Sequence, residues 1–584
     1  MGGQASAAHR RFENDRRKNM AYYIKKGCIG CHYCKLECPA GAIYIQNGFN
    51  QIDPEKCIEC GACVDRCNLD LIVSTDPAPA PEKHDPTELT CQVLVIGAGG
   101  VGTGAAARAA DLGLDVILIE AGKHYGGGTW FAHGGQFPGA HKFYAKLGKP
   151  SDIEPQVQFW LRNQKNGYKN MDKLRSNIAA NGEFLDWFYE LDPSFTAPFV
   201  PTPEGVPVAF DMKERHINKK SNDDSIGPGW MGSWITEKLF ETAMAKGVRY
   251  FNQTRAVEFL REGDSVAAVR ATDPGGEVII RADAFILGTG GYLMNDARMR
   301  AIDPDMIRED PVATYLRLNV PTNVGDGHEM VEKLGGAVNY GFGGTRGPTH
   351  HPWSYAVNMM LMNPEAVFVD AEGRRCFELS NEPMGGGAPI SGPNCKASEI
   401  ILRQKRGLCY LLMDEAMLER FGSRIRPLDN GRPCPWREEV DAEVALEDVP
   451  GRKADTLAAL AEKLEMDPET LEATVRRYNG FCANGLDADF GKKPENLLPF
   501  GDGPYYAFAV RNFDNGASRG GISIDEDFRV LRPDGTVIPG IYCAGDAATY
   551  SWTENVGPVG LCGGLAGSWA SGYHMAELVR DYLA

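Results

Sequence analysis

The chain contains 584 residues, carries a formal net charge of −17 and has 16 cysteines. This length predicts about three or four folded units, and the negative charge argues against a nucleic-acid partner, because phosphate binding requires a basic surface. The sequence has no run of about twenty apolar residues and no secretory signal, so we expect a cytoplasmic protein without a transmembrane segment, whose cysteines ligate metal or remain free thiols.

The N-terminal region contains a duplicated cysteine pattern. Residues 28–38 and 57–67 both follow the spacing C-x2-C-x2-C-x3-C of bacterial ferredoxins, in which three close thiolates bind one cluster and the fourth cysteine binds the other. Zinc is the alternative, but zinc is satisfied by four ligands and does not require this duplicated set. The spacing predicts two [4Fe–4S] clusters, one held by Cys28, Cys31, Cys34 and Cys67 and the other by Cys57, Cys60, Cys63 and Cys38.

One residue breaks this repetition. Asn68 follows Cys67 where a proline follows Cys38, and we expect a local change in the loop without loss of cluster ligation. Residues 1–75 are assigned to a small α+β ferredoxin-like domain. Residues 76–90 are assigned to a linker, because its prolines keep the chain extended and hold two domains apart.

The next elements predict a βαβ unit that binds a dinucleotide. The apolar run 92–96 is followed by Gly-Ala-Gly-Gly-Val-Gly, an alanine-rich helical stretch and the strand 115–120. Glycines permit a tight turn and the close approach of a pyrophosphate, and an acidic residue about twenty positions later accepts hydrogen bonds from ribose. A purely structural glycine turn is the alternative. The predicted cofactor contacts are Gly97, Gly99, Gly100, Gly102 and Glu120.

The rest of the chain is predicted as α/β with insertions. Residues 255–281 alternate apolar and polar side chains around a Pro-Gly-Gly turn, which is typical of an antiparallel meander. The run 285–288 returns to a buried strand, residues 296–350 are mixed, and residues 454–482 have a helical pattern. The last segment, 557–583, predicts an amphipathic helix.

Three further glycine-rich elements favour FAD over NAD: Gly126–Thr129, Gly288–Gly291 and Ala544–Asp546. With these elements the chain resembles the fumarate reductase and succinate dehydrogenase flavoprotein family over most of residues 91–584. The resemblance implies an α/β fold, in which an FAD-binding Rossmann-like domain carries an inserted capping domain and a C-terminal helical segment. The implied units are the first part of the FAD-binding domain at 91–295, the capping region at 296–350 and the remaining FAD-binding and substrate region at 351–584.

The resemblance also implies how FAD is held. The Gly-Gly-x-Thr loop would wrap the isoalloxazine, the Thr-Gly-Gly turn would close on the adenine half, and the acid after Ala-Gly would bind the ribityl chain. Gly128 takes the position of the histidine that attaches FAD in some members, so we expect a non-covalent flavin. The implied contacts beyond the fingerprint are Gly127, Gly128, Thr129, Gly134, Gly135, Ala256, Thr289, Gly290, Gly545, Asp546, Gly560 and Leu561.

The substrate region departs from the family pattern. Fumarate-reducing members carry an arginine proton donor at the position of Pro383, and their carboxylate-binding residues are also replaced here, which argues against fumarate as substrate. A histidine pair is often a packing feature, so a structural role is the alternative for two of the remaining candidates. The candidate catalytic residues that the resemblance implies are His351, His350, Arg346, Arg519 and Tyr550.

These features predict an oxidoreductase that passes electrons from the clusters to FAD and then, as hydride, to a small unsaturated molecule. An activated C=C bond is expected, in an enone, an enoate or a quinoid ring. A second G-x-G-x-x-G pattern is missing, so we expect a low-potential donor such as a ferredoxin rather than a nicotinamide. The alternatives are a ring-ketone dehydrogenase, as in the related ketosteroid dehydrogenases, and an electron-transfer component that relays electrons to a partner or to quinone.

Overall fold

The computed structural model describes residues 22–25, 28, 33–46, 49–74, 81–131, 152–155, 157–158, 171–193, 199–201, 207–209, 231–263, 265–302, 304, 316–317, 319–340, 346–349, 355–361, 363–378, 396–425, 436–445, 451–514, 520–525, 527–548 and 565–584. The structural statements below concern these residues. Residues 76–80 of the predicted linker lie outside them.

The N-terminal unit is a small α+β fold made of two similar halves. Strand β1 pairs with β4 and β2 pairs with β3, both antiparallel, which confirms the predicted ferredoxin-like fold. A core of two cysteines and three isoleucines is too small to stabilise such a unit alone, and small folds commonly rely on metal ligation. Its elements are β1 (Tyr22–Ile24), α1 (Tyr33–Leu36), β2 (Ile43–Gln46), β3 (Phe49–Ile52), α2 (Ala62–Asp65) and β4 (Ile72–Ser74).

The second segment contains the βαβ unit and the meander. All residues of its strand β6 are buried, as expected for a parallel strand that is covered on both faces. Its elements are β5 (Thr87–Ile96), α3 (Gly100–Asp111), β6 (Val116–Ile119), α4 (Met171–Leu191), β7 (Phe199–Pro201), β8 (Pro207–Ala209), α5 (Met231–Ala245), β9 (Arg249–Phe251), β10 (Arg255–Glu262), β11 (Ser265–Thr272), β12 (Glu277–Leu287) and α6 (Asp296–Ile302).

The third segment crosses between two sheets and ends in a long helix. Its elements are β13 (Leu316–Arg317), α7 (Asp326–Leu334), β14 (Val338–Asn339), β15 (Arg346–Thr349), α8 (Tyr355–Leu361), β16 (Val367–Asp370), β17 (Arg375–Phe377), α9 (Lys396–Arg403), β18 (Cys409–Asp414), α10 (Glu415–Gly422), α11 (Trp436–Val444), β19 (Gly451–Ala454), α12 (Leu457–Lys463), α13 (Pro468–Asn484), β20 (Tyr505–Asp514), β21 (Gly521–Ile522), β22 (Arg529–Leu531), β23 (Val537–Cys543) and α14 (Leu565–Leu583).

The larger sheet has the strand order β10-β11-β12-β5-β6-β9, and β23 adds to β12. Strands β5, β6, β9, β12 and β23 run parallel to their neighbours in this group, whereas β10, β11 and β12 form the antiparallel meander. The α/β fold with a Rossmann-like centre is therefore confirmed.

A second sheet carries a separate hydrophobic core. Its order is β13-β20-β18-β16-β17, with β15 and β19 also paired to β20. The buried residues of this core run from Val357 to Val510. The predicted capping region, residues 296–350, contributes only the short strands β13 and β15 to this sheet. Strands of this length are too short to show an alternation of apolar and polar residues in the sequence, so only their pairing in the structure assigns them to this sheet.

The C-terminal helix α14 packs closely on the fingerprint helix α3. A Cβ on Gly104 would lie 2.6 Å from the Trp569 carbonyl oxygen, and one on Gly572 would lie 2.2 Å from the Val101 carbonyl oxygen. Both helices therefore need glycine at the crossing. Among the described helices, none combines the length and the apolarity that a membrane-spanning segment requires.

Candidate functional site

Four predicted motifs converge at one edge of the larger sheet. Ile96, Ile119, Leu287 and Cys543, the last residues of β5, β6, β12 and β23, are register neighbours. The residues that follow these strands are the fingerprint turn, Glu120, the Gly288–Gly291 turn and Ala544–Asp546. Ligands of open α/β sheets bind beyond the carboxyl ends of the strands. The fold therefore brings together at this edge motifs that lie hundreds of residues apart in the chain.

The fingerprint turn is shaped by backbone contacts that exclude side chains. Gly97 has φ +96°, and a Cβ there would lie 2.5 Å from the Gly288 carbonyl oxygen. A Cβ on Gly102 would lie 1.7 Å from the Gly97 carbonyl oxygen. The amide of Gly100 donates to Thr129 Oγ1 at 2.8 Å, which joins the N-terminus of α3 to the predicted flavin loop.

Glu120 is a buried carboxylate at the end of β6. Its Oε2 accepts from the Ala98 amide and its Oε1 accepts from the Gly122 amide, each at 2.8 Å. Burial raises the pKa of Glu120, although these two amides and the charge of Arg255 oppose the shift. The carboxylate is held in one orientation beside the fingerprint, as a ribose-binding residue requires.

Three buried polar atoms near this edge have no hydrogen-bond partner among the described residues: Thr289 Oγ1, Asn323 Oδ1 and Tyr250 Oη. Burial and the nearby Glu120 carboxylate raise the pKa of Tyr250, so its hydroxyl remains a donor. A Cβ on Gly290 would lie 3.4 Å from Asn323 Nδ2. Unsatisfied buried polar atoms are costly, and these fit a ligand rich in hydroxyls and ring nitrogens such as FAD. Tyr250 and Asn323 lie outside the motifs recognised in the sequence, so only the structure indicates them as candidates for cofactor contact.

The remaining described cofactor candidates lie close to the fingerprint. A Cβ on Gly127 would lie 3.2 Å from Gly99 Cα, and one on Gly128 would lie 2.9 Å from Asn319 Oδ1. Gly545 has φ +70°, and a Cβ there would lie 2.8 Å from a Val101 methyl carbon. Asp546 follows in the same short helical turn. Ala256 is buried in β10, two residues after Thr254, whose amide donates to the Glu120 carbonyl oxygen.

Most of the candidate catalytic residues cannot be placed in this geometry. Arg346 lies in β15, where its backbone pairs with Asp514 of β20. Its side chain is not among those described. Two groups lie outside the described residues. They are the catalytic candidates His350, His351, Arg519 and Tyr550 and the cofactor candidates Gly134, Gly135, Gly560 and Leu561.

The ferredoxin-like unit brings the second predicted ligand set into one pocket. Cys38, Cys57, Cys60 and Cys63 line it together. Among the described residues, no three metal-binding side chains lie close enough together to hold a single ion. A [4Fe–4S] cluster does not require this, because each of its cysteines binds a different iron atom. Burial raises the pKa of the Cys63 thiol to about 11, so its thiolate form needs a positive partner such as iron. Cys31, of the first set, lies outside the described residues.

Hydrogen bonds to sulfur repeat the duplication seen in the sequence. The Ala42 amide donates to Cys38 Sγ at 3.2 Å, and the Leu71 amide donates to Cys67 Sγ at 3.3 Å, each four residues after the cysteine. Asn50 Nδ2 donates to Cys34 Sγ at 3.2 Å. Such donors favour the thiolate form that binds iron and tune the potential of a cluster.

The fold and these two ligand sets define an iron–sulfur flavoprotein oxidoreductase. Residues 92–561 match the family described as an FAD binding domain, and residues 20–68 match a 4Fe-4S dicluster domain. The chain therefore belongs to this FAD-binding family and carries an N-terminal 4Fe–4S domain. Both matches confirm the resemblance that was drawn from the motifs.

Known proteins with related sequences and folds include both reductases and dehydrogenases, among them 3-oxosteroid 1-dehydrogenase of Mycolicibacterium smegmatis, which is 25% identical over 78% of this chain and 92% of its own length. Fumarate reductase (cytochrome) of Shewanella frigidimarina is 27% identical over 80% of this chain and 73% of its own length. Vinyl phenol reductase of Lactiplantibacillus plantarum is 26% identical over 85% of this chain and 98% of its own length. The solved structure of the open conformation of a flavocytochrome c3 fumarate reductase has a TM-score of 0.63 at 21% identity and covers 87% of this chain and 83% of its own. This last similarity shows a shared fold.

Proposed function

We propose that the protein is a cytoplasmic FAD-dependent reductase of an activated C=C bond, supplied with electrons by a low-potential donor through two [4Fe–4S] clusters. The observation that carries the proposal is the convergence of four cofactor motifs at one sheet edge, in a chain that also brings four cysteines to one pocket. The names of two relatives give fumarate and vinyl phenol as their substrates, and both compounds contain a conjugated C=C bond. Fumarate itself is not proposed, because Pro383 replaces the family's proton donor.

The proposed FAD contacts follow from this geometry. FAD, when bound, supplies a redox group that accepts single electrons and donates a hydride. The glycine turn and the N-terminus of α3 would hold the pyrophosphate, and Glu120 would accept from the ribose. Thr289 and Asn323 would meet the adenine half with their unpaired oxygen atoms. Gly127, Gly128 and Thr129 would lie against the flavin, and Asp546 would accept from the ribityl chain.

The substrate-binding residues are proposed from the family resemblance alone. His351, His350, Arg346, Arg519 and Tyr550 are the candidates for orienting the substrate and donating a proton to it. General acids of this kind must lie within hydrogen-bond reach of the reacting carbon or its activating carbonyl.

Anaerobic reoxidation of the reduced protein tests the function. The flavin would be reduced, excess reductant removed, and the flavin absorbance followed as enones, enoates and quinoid compounds are added. We expect rapid, stoichiometric reoxidation by at least one class, slow reoxidation by fumarate and none by the saturated analogue of each compound. Reoxidation by one-electron acceptors alone would favour the relay alternative. Reduction of the oxidised flavin by a saturated ring ketone would favour the dehydrogenase.

Two clusters should be present in each chain. Eight cysteines at duplicated spacing supply all the ligands for two cubanes, so metal and sulfide analysis should find about eight iron and eight sulfide per chain. A value near four iron, or stoichiometric zinc, would contradict the assignment.

Asn50→Leu should lower the reduction potential of the cluster that Cys34 ligates. The lost hydrogen bond stabilises the extra negative charge of the reduced cluster, and about 1 kcal/mol corresponds to about 40 mV for a one-electron couple. A redox titration followed by electron paramagnetic resonance would measure the shift. Gln51→Leu is the matched control, because Gln51 is exposed on the same strand. Equal shifts in the two variants would show that Asn50 has no specific effect.

FAD should be released in full when the protein is precipitated with acid. Gly128 supplies no side chain for a covalent bond in the proposed flavin loop. The supernatant and the washed pellet would be compared by absorbance. Yellow colour that stays with the denatured chain would show that another residue attaches the flavin.

A further inference from the structure

The turn that follows Cys67 contacts the FAD-binding domain beside the flavin loop. Asn68 Nδ2 donates to the Tyr125 carbonyl oxygen at 3.2 Å, and Lys123 Nζ lies 4.0 Å from Asp70 Oδ1. Asn68 is the residue that breaks the cysteine repeat. The expected local change in this loop is wrong, because Asp70 and Gly41 both have positive φ and the amides of Leu71 and Ala42 both donate to the cysteine sulfur. Asn68 instead provides a contact between two domains.

Arg66 strengthens the same contact. Its guanidinium lies 5.1 Å from the centre of the Trp130 ring, within the range of a cation–π interaction. The guanidinium also lies 3.7 Å from Glu37 of its own unit and 3.9 Å from Glu237 of the FAD-binding domain. A charge shared between carboxylates of both domains favours one orientation of the ferredoxin-like unit.

The FAD-binding side of this contact is an ordered aromatic surface. The rings of Tyr125 and Phe240 stack with centroids 3.8 Å apart and an interplanar angle of 6°, and Tyr125 meets Trp130 edge-on at 5.5 Å. Trp130 is 1% exposed. It directly follows Thr129, whose Oγ1 accepts from Gly100. The contact therefore reaches to within one residue of the proposed flavin loop.

The segment of the ferredoxin-like unit that carries Cys60 faces solvent. Cys60 is exposed, and the side chain of Ile58 is 63% exposed, whereas Cys67 is partly buried. The two predicted clusters are therefore not equivalent, because Cys67 belongs to one set and Cys60 to the other.

We propose that the turn from Arg66 to Asp70 is the docking surface that holds the Cys67-ligated cluster against the flavin loop, while the cluster ligated by Cys57, Cys60 and Cys63 receives electrons from the external donor. This order of electron transfer, from the donor through the two clusters to the flavin, rests on the function proposed above. Each transfer oxidises one cluster by one electron and reduces the flavin by one. Two transfers, with one proton taken up from solvent, supply a hydride equivalent, and the external one-electron donor refills both clusters. Electron-transfer rates fall steeply with distance, so docking controls the last step.

The variant Arg66→Glu tests the docking surface, with Arg476→Glu as control. Arg476 undergoes the same charge reversal on α13, where it is 69% exposed and paired only within its own helix in the contacts described. Iron, sulfide and flavin contents should match the parent protein in both variants. Hydrogen exchange of the 122–130 backbone amides should rise in Arg66→Glu alone, which reports docking without any turnover.

The rate of flavin reduction is the second readout. After rapid mixing with a one-electron donor, cluster bleaching should keep its parent rate in Arg66→Glu, while flavin bleaching should slow about tenfold, equivalent to about 1.4 kcal/mol of docking free energy. Arg66→Lys keeps the charge and should restore most of the rate. Asn68→Ala, a milder change, should slow flavin bleaching in the same direction.

The outcomes separate this inference from the proposed function. Unchanged hydrogen exchange and unchanged flavin bleaching in both Arg66→Glu and Asn68→Ala would overturn the docking surface. Slower cluster bleaching in Arg66→Glu would show that electrons enter from the external donor at this turn rather than leave for the flavin there. That result would also overturn the docking surface. Failure of every unsaturated compound to reoxidise the flavin, with normal transfer from clusters to flavin, would overturn only the proposed reaction.

Discussion

Gly102→Ala should give a protein that keeps its iron and sulfide but binds at least tenfold less FAD. A Cβ at this position would lie 1.7 Å from the Gly97 carbonyl oxygen, so the turn must open. Gly97 cannot yield, because it lies against the backbone of Gly288. Overpacking of this kind commonly costs about 1–3 kcal/mol, and here the strain falls on the pyrophosphate turn itself. Flavin and iron per chain would be measured by absorbance and metal analysis.

The matched control for this substitution is Gly480→Ala. Gly480 lies inside helix α13, and a Cβ there would meet nothing within 4 Å. Replacing glycine by alanine within a helix stabilises it by up to about 1 kcal/mol, so FAD content should not change. Full FAD occupancy in Gly102→Ala would show that the turn does not bind the pyrophosphate as proposed.

Asp487→Ala should lower the free energy of unfolding of the second core by about 3–5 kcal/mol, because it leaves two buried cations, Arg375 and Lys492, to share the single carboxylate of Glu378. Arg375 donates to both carboxylate oxygens of Asp487, at 2.9 and 2.8 Å, and the two side chains are 4% and 0% exposed. Glu378 accepts from Arg375 and lies 3.2 Å from Lys492 Nζ. Thermal unfolding followed by calorimetry would measure the loss.

Asp489→Ala is the control for the buried network. Asp489 pairs with Arg477, whose side chain is 62% exposed, and such surface pairs are worth about 0–1 kcal/mol. A loss as large as that of Asp487→Ala would show that the position in the loop, rather than the buried pair, determines stability.

The same network predicts loss of stability in acid. Burial alone would raise the pKa of Asp487, but the hydrogen bonds and charge of Arg375, with two backbone amides, outweigh it and lower the pKa to about 2. The folded pKa lies below the unfolded value of about 3.9, so the stabilising contribution is complete above that value. It should disappear as the pH falls from about 4 towards 2, and Asp487→Ala should lose this part of the pH dependence.

The sequence by itself determined the cofactor class and the central fold. The cysteine spacing identified the ferredoxin-like unit, and the glycines between β5 and α3, with Glu120 after β6, identified the dinucleotide turn. These signals are local, since a tight turn or a set of neighbouring ligands is encoded within a few residues. Local patterns also predicted the meander and the C-terminal helix, both of which the structure contains.

Only the tertiary structure decided which distant residues meet. Asn68 and Tyr125 are joined across two domains, and Thr289 and Asn323 become unpaired buried groups only in the folded chain. The second sheet likewise draws its strands from residues 316 to 514 in an order that differs from the chain. Strand pairing and domain docking depend on the packing free energy of the whole molecule. A local sequence pattern does not show which residue, far along the chain, will be in contact with it.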